Sequence, residues 1–288
     1  MIFEGSTRLS PVQKAQYENA GYYFPIRAFD ESEADELRAR FHEYFSAIRE
    51  RLKDLPAREQ SKNFTETHFL LKWVYDVVSH PAVVDAVESV LGPNLLVWSS
   101  AWFPKMPGDK KYISWHQDAT YWGLHPPNAT TAWIALTESV PENGCMRVIP
   151  ATHQGPLLPQ TETYAWDNAL SRGQEIAVSV DESKAVDLVL RPGEMSLHHV
   201  GMVHGSNANS SREPRIGLAV RYISTDVVQD GAVQQCAVLV RGKDDFGHFH
   251  LVEPAADDEI SAEDESRRSE VLRRMTANLL PKDSGGRR

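Results

Sequence analysis

Three residues, His116, Asp118 and His204, have the side-chain types of a mononuclear metal site. His116 and Asp118 are two positions apart, so on an extended strand both side chains would point to the same face. His204, supplied by a distant strand, would complete a set of two imidazoles and one carboxylate. This set leaves three positions of an octahedron open, as in non-haem Fe(II) oxygenases. Because His-X-Asp triplets also arise by chance, the prediction needs support from the surrounding residues.

Arg215 gives that support. It lies 11 residues after His204 and opens the segment RIGLAVRY (215–222), which has the composition of a strand. The planar guanidinium of an arginine can hold the distal carboxylate of a dicarboxylic acid in bidentate fashion. The sequence therefore predicts a metal centre with a dicarboxylate anchor on a strand beside it.

Three stretches of the chain resemble the phytanoyl-CoA dioxygenase family of Fe(II)/2-oxoglutarate oxygenases. They are WHQDATYWGL (115–124), TAWIALTESVPENGCMRVIPATH (131–153) and LHHVGMVHGSNANSSREPRIGLAVRYIS (197–224). They are similar to the branch that contains the carrier-protein-dependent aliphatic halogenases. Those halogenases have a small residue, usually alanine, where this chain has Asp118, and the small residue leaves room for chloride. The resemblance therefore implies a hydroxylase in a halogenase-like frame.

The resemblance also implies a fold and a reaction. The fold would be mainly β with flanking helices, a double-stranded β-helix (jelly roll). The enzyme would use Fe(II), 2-oxoglutarate and O₂ to hydroxylate an unactivated C–H bond of a small molecule in secondary metabolism, releasing succinate and CO₂. Cyclisation, epoxidation, desaturation or epimerisation could begin from the same hydrogen abstraction. A metal-binding jelly roll without catalysis is the more distant alternative, and the presence of Arg215 disfavours it.

Further cosubstrate residues follow from the resemblance. It places Arg215 on the distal carboxylate of 2-oxoglutarate, Ser206 near the same carboxylate and Trp133 against the cosubstrate. Arg221 lies six positions after Arg215, so it has the same face of the predicted strand. It could pair with Asp118 or contact the substrate, and the sequence does not choose between these two roles.

Aromatic and basic residues near the predicted metal strand are candidates for the substrate pocket. The segment KMPGDKK (105–111) has three lysines, which in an acidic protein indicate an anionic or carrier-linked substrate; a solvated loop is the simpler interpretation. The polar region 154–184 has the length and composition of a lid. The candidate pocket residues are Phe103, Lys105, Tyr121, Trp122 and His125.

Other histidines compete for the metal. His198 and His199 precede a predicted turn and could reach the same pair of strands, although packing or support of the ligands is the expected role. His153 is expected to be structural or to lie near the mouth of the pocket. The sequence therefore keeps His116, Asp118 and His204 as the ligand set.

Composition narrows the function class. The 288 residues carry a net charge of −10, which disfavours nucleic acid and anionic membrane surfaces as partners. The expected partner is a small-molecule substrate, with a carrier protein as a further possibility. The two cysteines are too few for a disulfide framework and indicate reduced thiols in a cytoplasmic protein. We find neither a secretory signal nor a stretch apolar enough to span a bilayer.

Element patterns predict one oxygenase domain over 1–288. Helices are expected over about 10–92, where caps and helical spacing of apolar residues recur. The pattern changes to short period-two strands over about 94–245, including one from Ile113 to Trp122, and this region is expected to form the jelly-roll core. A charged tail over about 255–288 would contain a helix at 262–279 and then disorder from Lys282.

Overall fold

The computed structural model describes residues 6–54, 62–165, 167–170 and 173–279. Its N-terminal part is helical, as the sequence predicts. The helices there are α1 (Pro11–Ala20), α2 (Glu31–Leu52), α3 (Lys72–Val78) and α4 (Pro81–Leu91). Capping residues fix where α1 and α2 begin, because the side chains of Ser10 and Asp30 accept hydrogen bonds from the backbone amides of Gln13 and Glu33. The predicted C-terminal helix is α6 (Ala262–Leu279), whereas the tail from Lys282 lies outside the described residues.

Strands dominate the rest of the described chain. One strand, β1 (Tyr22–Arg27), comes from the N-terminal part and joins the main sheet. The others are β2 (Leu95–Trp102), β3 (Ile113–His116), β4 (Leu124–His125), β5 (Ala129–Ala135), β6 (Met146–Ile149), β7 (Gln160–Glu162), β8 (Gln174–Ile176), β9 (Val186–Leu188), β10 (Glu194–His199), β11 (Val203–Ser206), β12 (Gly217–Ser224), β13 (Val228–Gln229), β14 (Cys236–Arg241) and β15 (His250–Leu251).

Two sheets form the core. The major sheet has the order β1-β10-β5-β12-β2-β14-β15, and the minor sheet has the order β3-β11-β6-β9. Neighbours in the order are mostly distant along the chain, so most pairings are crossovers rather than hairpins. This strand-rich fold with flanking helices is of the jelly-roll, cupin-like class, as predicted.

The helices cover one face of the major sheet. Val83 and Val87 of α4 belong to the same buried apolar cluster as Val220 and Tyr222 of β12. The Tyr222 hydroxyl donates to the carbonyl of Val78 at 2.6 Å, so the buried polar end of this side chain is satisfied. With this face occupied by helices, the opposite face of the major sheet is left for the site.

The strand prediction for Ile113–Trp122 is wrong in its second half. Strand β3 ends at His116, and the chain enters the short helix α5 (Ala119–Trp122). Asp118 has helical backbone angles (φ −58°, ψ −38°), and its carbonyl accepts the amide of Tyr121 at 3.1 Å. The helix ends at Gly123, whose φ of 60° suits a residue without a side chain. Asp118 is therefore placed by a helical turn and not by strand alternation.

The described part of the region 154–184 contains regular secondary structure. It contains the antiparallel pair β7–β8, which packs against the metal-bearing strand β3. The amide of Tyr112 donates to Asp167, and Ala169 donates back to Tyr112. The segment therefore covers the minor sheet through regular backbone contacts.

Candidate active site

The structure brings His116, Asp118 and His204 together. One ligand atom from each residue lies within 4.8 Å of the other two. His116 Nε2 is 3.4 Å from Asp118 Oδ1, and His204 Nε2 is 4.0 Å from Asp118 Oδ2. The two histidines are direct partners across the β11–β3 pair, and their ring centroids are 4.1 Å apart. The donor set and its spacing fit a divalent transition metal held on one face.

Backbone carbonyls fix both imidazoles. His116 Nδ1 donates to the carbonyl of Ser114 at 2.9 Å, and His204 Nδ1 donates to that of Met202 at 3.0 Å. Because a carbonyl can only accept, each ring has its proton on Nδ1 and offers the lone pair of Nε2. Both histidines thus present a metal-binding nitrogen toward Asp118.

The charge state of the site favours a cation. Burial alone would raise the pKa of Asp118, but the contact with the His116 imidazole and the nearby positive charge of Arg221 lower it well below its usual range. Burial, together with His116, lowers the pKa of His204 to about 4. An ionised carboxylate beside an unprotonated imidazole is the form in which these groups bind a metal.

Arg215 lies at one end of the same cavity. Its side chain is 2% exposed, and its guanidinium donates to the carbonyls of Gly144 and Phe103. It lies 5.2 Å from the ring of Trp133, which also lines the cavity. Arg215 lies two residues before the start of β12. A backbone bridge to Lys105 holds it in place there. Burial lowers its pKa to about 10, so the guanidinium is still charged.

Lys105 is buried beside Arg215, contrary to the solvated-loop interpretation. It is 2% exposed, and its ammonium donates to Ser206 Oγ at 2.6 Å and to the carbonyl of Asn207. Burial, followed by the charge of Arg215, lowers its pKa to about 6. Among the described residues, no carboxylate lies within 4 Å of either cation. An anion bound between Arg215 and Lys105 would raise the Lys105 pKa again and draw a proton onto its amine, so the two side chains together form an anion-binding environment.

The predicted pocket residues divide into two groups. Phe103 lines the cavity, and Trp122 lies beside it, 5.4 Å from the guanidinium of Arg221. His125 is at the surface with its side chain 65% exposed, where it pairs with Asp230 at 3.1 Å; its contact with substrate stays a prediction. Tyr121 is in α5 and is absent from the described lining of the cavity. The early end of β3 and the helical turn after it place His125 outside the described lining of the cavity.

Arg221 lies in the cavity without a carboxylate partner. Its guanidinium donates to Ser99 Oγ at 3.2 Å, and no acidic oxygen of the described chain comes within 4 Å of it. The predicted pairing with Asp118 therefore does not form as a direct ion pair. Rather, the Arg221 guanidinium lies over the rings of Phe103 and Trp122, at 6.0 and 5.4 Å from their centroids.

Sequence reasoning underestimated two cavity residues. His198 lies 4.8 Å from His204, measured between ring centroids, and its Nδ1 is buried without a partner. Burial and the nearby His204 hold its pKa well below the usual range. Thr131 also lines the cavity and has an unpartnered hydroxyl. Alternation along β5 from Trp133 was the signal that could have identified Thr131.

Gln117, between His116 and Asp118 in the chain, links these two ligands to the segment 154–184, the predicted lid. Its side-chain amide donates to the carbonyl of Gly201 at 2.8 Å and accepts the amide of Leu158 at 2.8 Å. It is fully buried, and Gln160 donates to its backbone carbonyl. From the covering segment, Leu170 contributes to the cavity wall. Gln117 thus connects the metal strand, the turn before His204 and the lid.

Replacing Gln117 with alanine is expected to loosen the lid. The change leaves the carbonyl of Gly201 and the amide of Leu158 unpaired, which costs about 1–3 kcal/mol of folding free energy for each buried group. We expect faster hydrogen exchange at the Leu158 amide, measured by mass spectrometry, together with a lower unfolding midpoint. Gln154→Ala is the matched control, since Gln154 is exposed and bonds only to α1. Unchanged Leu158 exchange in the Gln117 variant would contradict the link.

Comparison with known proteins places this site in context. A Caenorhabditis elegans protein named "Probable phytanoyl-CoA dioxygenase" is 26% identical over 249 residues, covering 78% of each chain. The structure of the non-heme monooxygenase ThoJ is similar with a TM-score of 0.81 and 32% identity, covering 93% of this chain and 97% of ThoJ. CytC3 with Fe(II) and alpha-ketoglutarate matches with a TM-score of 0.66 and 25% identity, over 89% and 98% of the two chains.

The fold and the metal-binding group, together with these relatives, define a non-haem iron- and 2-oxoglutarate-dependent dioxygenase. The sequence model of the phytanoyl-CoA dioxygenase (PhyH) family matches residues 17–217. The chain belongs to this family. In the described part of the chain, no helix has the length and hydropathy needed to cross a bilayer.

Proposed function

We propose that this dioxygenase hydroxylates an unactivated C–H bond of a small molecule in natural-product metabolism. The observation that carries the proposal is the cluster of His116, Asp118 and His204, whose ligand atoms lie close together. In this cluster the Asp118 carboxylate is at the position where the related halogenases have a small residue and bind chloride. The similarity to ThoJ, a protein named as a monooxygenase, supports oxygen insertion. The resemblance to the halogenase branch motivates the choice of natural-product metabolism.

The residues of the site divide between two tasks. His116 and His204, through Nε2, and Asp118 would hold Fe(II). The distal carboxylate of 2-oxoglutarate would lie against Arg215, with the hydroxyl of Ser206 and the ammonium of Lys105 beside it. Trp133 would cover the cosubstrate, since it already lies against the Arg215 guanidinium. The feature that supports this placement is the buried Arg215 guanidinium, beside which the Lys105 amine would be protonated by a bound anion.

When bound, Fe(II) and 2-oxoglutarate activate O₂ to remove a hydrogen atom from the substrate and deliver oxygen, with succinate and CO₂ as co-products. The protein contributes position and exclusion of water. Six apolar side chains line the cavity between the polar groups of the site, and they keep the reacting carbon away from water. The backbone carbonyls behind both histidines keep the imidazoles from rotating. The apolar lining residues include Phe103, Ile113, Trp133, Met146, Leu170 and Ala219.

The first test is cosubstrate binding followed by product analysis. Anaerobic addition of Fe(II) and 2-oxoglutarate to the metal-free protein is expected to produce a weak visible charge-transfer absorption. Candidate small molecules are then screened by succinate release, and products are identified by mass spectrometry in excess chloride. A hydroxylated product is expected because Asp118 occupies the halide position. A chlorinated product would contradict the proposal, and iron binding without the absorption would favour a metal-binding protein of another function.

A further inference from the structure

A row of polar side chains crosses the inner face of the major sheet. Ser99, Arg221, Thr131 and His198 are successive direct partners across β2, β12, β5 and β10. Directly opposite residues of antiparallel strands have their side chains on the same face, with Cβ atoms about 5 Å apart. Arg221, Thr131 and His198 all line the cavity that contains the metal-binding group. The row thus faces the reacting centre from the opposite sheet.

The row has free hydrogen-bonding capacity in a buried place. The Nε of Arg221, the hydroxyl of Thr131 and the Nδ1 of His198 are each buried and have no partner in the described structure. Thr131 and His198 are both 2% exposed. Buried polar groups are almost always hydrogen-bonded in folded proteins. Three unpartnered groups in one cavity therefore indicate a ligand that satisfies them.

A buried carboxyl group positions Arg221 without neutralising it directly. Glu66 Oε1 accepts the Ser99 hydroxyl at 2.7 Å, and Ser99 in turn accepts a guanidinium N–H of Arg221. Glu66 has a left-handed backbone conformation (φ 56°), and its amide donates to the carbonyl of Ser100 at 2.8 Å. Ser99 thus separates the carboxyl group from the guanidinium. The guanidinium keeps its remaining N–H groups for a ligand.

We propose that the substrate carries a carboxylate, which Arg221 binds with Thr131 and His198 as further hydrogen-bonding partners. Arg221 supplies the charge, and the aromatic rings of Phe103 and Trp122 that lie against its guanidinium would shield the pair from water. The apolar remainder of the substrate would then extend along the apolar lining toward the metal. This inference rests on the proposed function, because it assigns the row to the substrate and Arg215 to the cosubstrate.

The probes are the n-alkanoates from butanoate to decanoate, each compared with its uncharged carboxamide. Binding to the anaerobic Fe(II)/2-oxoglutarate protein is measured by calorimetry and by the change in the visible absorption. We expect saturable binding of at least one alkanoate and a clear preference over its amide. Arg221→Gln is expected to weaken alkanoate binding by about tenfold or more and to abolish the preference. Thr131→Val, which keeps the side-chain shape, is expected to weaken it several-fold.

The control is Arg147→Gln. Arg147, like Arg221, lies over a tryptophan ring (Trp115), but it pairs with Glu182 and is not among the described residues that line the cavity. Equal binding of alkanoates and amides, or an unchanged preference in the Arg221 variant, would overturn the inference and leave the proposed function intact. Loss of the visible absorption in Arg221→Gln would also overturn it, since the row would then bind the cosubstrate. No absorption in the wild type would overturn the proposed function and the inference with it.

Discussion

Replacing Arg215 with alanine is expected to lower the affinity for 2-oxoglutarate by about a hundredfold or more while Fe(II) still binds. A bidentate pair between a guanidinium and a carboxylate has two charge-assisted hydrogen bonds, each contributing about 1.5–3 kcal/mol. Loss of both corresponds to about a hundredfold in affinity at the lower end of this range. The iron ligands are on other elements, so the metal site itself is expected to persist.

The measurement is an anaerobic titration of each protein with 2-oxoglutarate, after Fe(II) has been added. Arg215→Lys keeps the positive charge but loses the planar guanidinium that binds a carboxylate in bidentate fashion, so its affinity for 2-oxoglutarate is expected to be intermediate. Alanine also leaves the carbonyls of Gly144 and Phe103 without a donor, so circular dichroism is needed to confirm folding. Arg147→Ala is the matched control, because it removes a partly buried arginine that pairs with Glu182 and Asp187. Wild-type 2-oxoglutarate affinity in a folded Arg215→Ala protein would exclude Arg215 as the anchor.

Replacing Asp118 with alanine is expected to lower the affinity for Fe(II) by about a hundredfold or more. Removing a group that only orients a metal ligand typically lowers metal affinity by about 10–100-fold. Removing a ligand itself is therefore expected to lower the affinity by about a hundredfold or more. The variant removes the only carboxylate of the metal-binding group in the described structure. It also opens a position at which chloride could bind, so halide binding is expected to appear without a guarantee of turnover.

Metal affinity is measured by calorimetry and by the rise in unfolding temperature with added Fe(II) under anaerobic conditions. A ligand that binds only the folded protein stabilises it by mass action, so the rise is expected in the wild type and much reduced in the variant. Asp230→Ala is the control, since Asp230 forms only an exposed pair with His125. An unchanged metal-induced rise in Asp118→Ala would mean that the ion binds elsewhere.

The sequence predicted the metal-binding group better than the geometry that produces it. Residue type and spacing suggested His116, Asp118 and His204, and the nearby Arg215 together with the family resemblance made the selection specific. The backbone path was wrong, because a helical turn and a strand differ by a few local hydrogen bonds that residue types at 117–122 do not decide. Asp118 reaches the site through that turn.

Long-range contacts account for the other differences. Lys105 was a candidate pocket residue within a loop for which solvation was the simpler interpretation, and the backbone bridge to Arg215 places it in the interior. Arg221 and Thr131 could be placed on the site face by alternation, but their register with His198 depends on how three distant strands pair. Sequence patterns identify which residues face a core, whereas the pairing of crossover strands decides which of them meet.

The two sheets divide the work of the proposed reaction. Strands β3 and β11 of the minor sheet carry both metal-binding histidines, while Arg221 is on β12 of the major sheet. A substrate held by Arg221 would span the gap between the sheets, so the thickness of the sandwich would select which carbon lies next to the metal. Met146 and Trp133, which pack in one apolar cluster between the sheets, help to set that thickness. The position of oxidation on the substrate would therefore change when a side chain between the sheets, such as Met146, is made larger or smaller, although it binds neither iron nor cosubstrate.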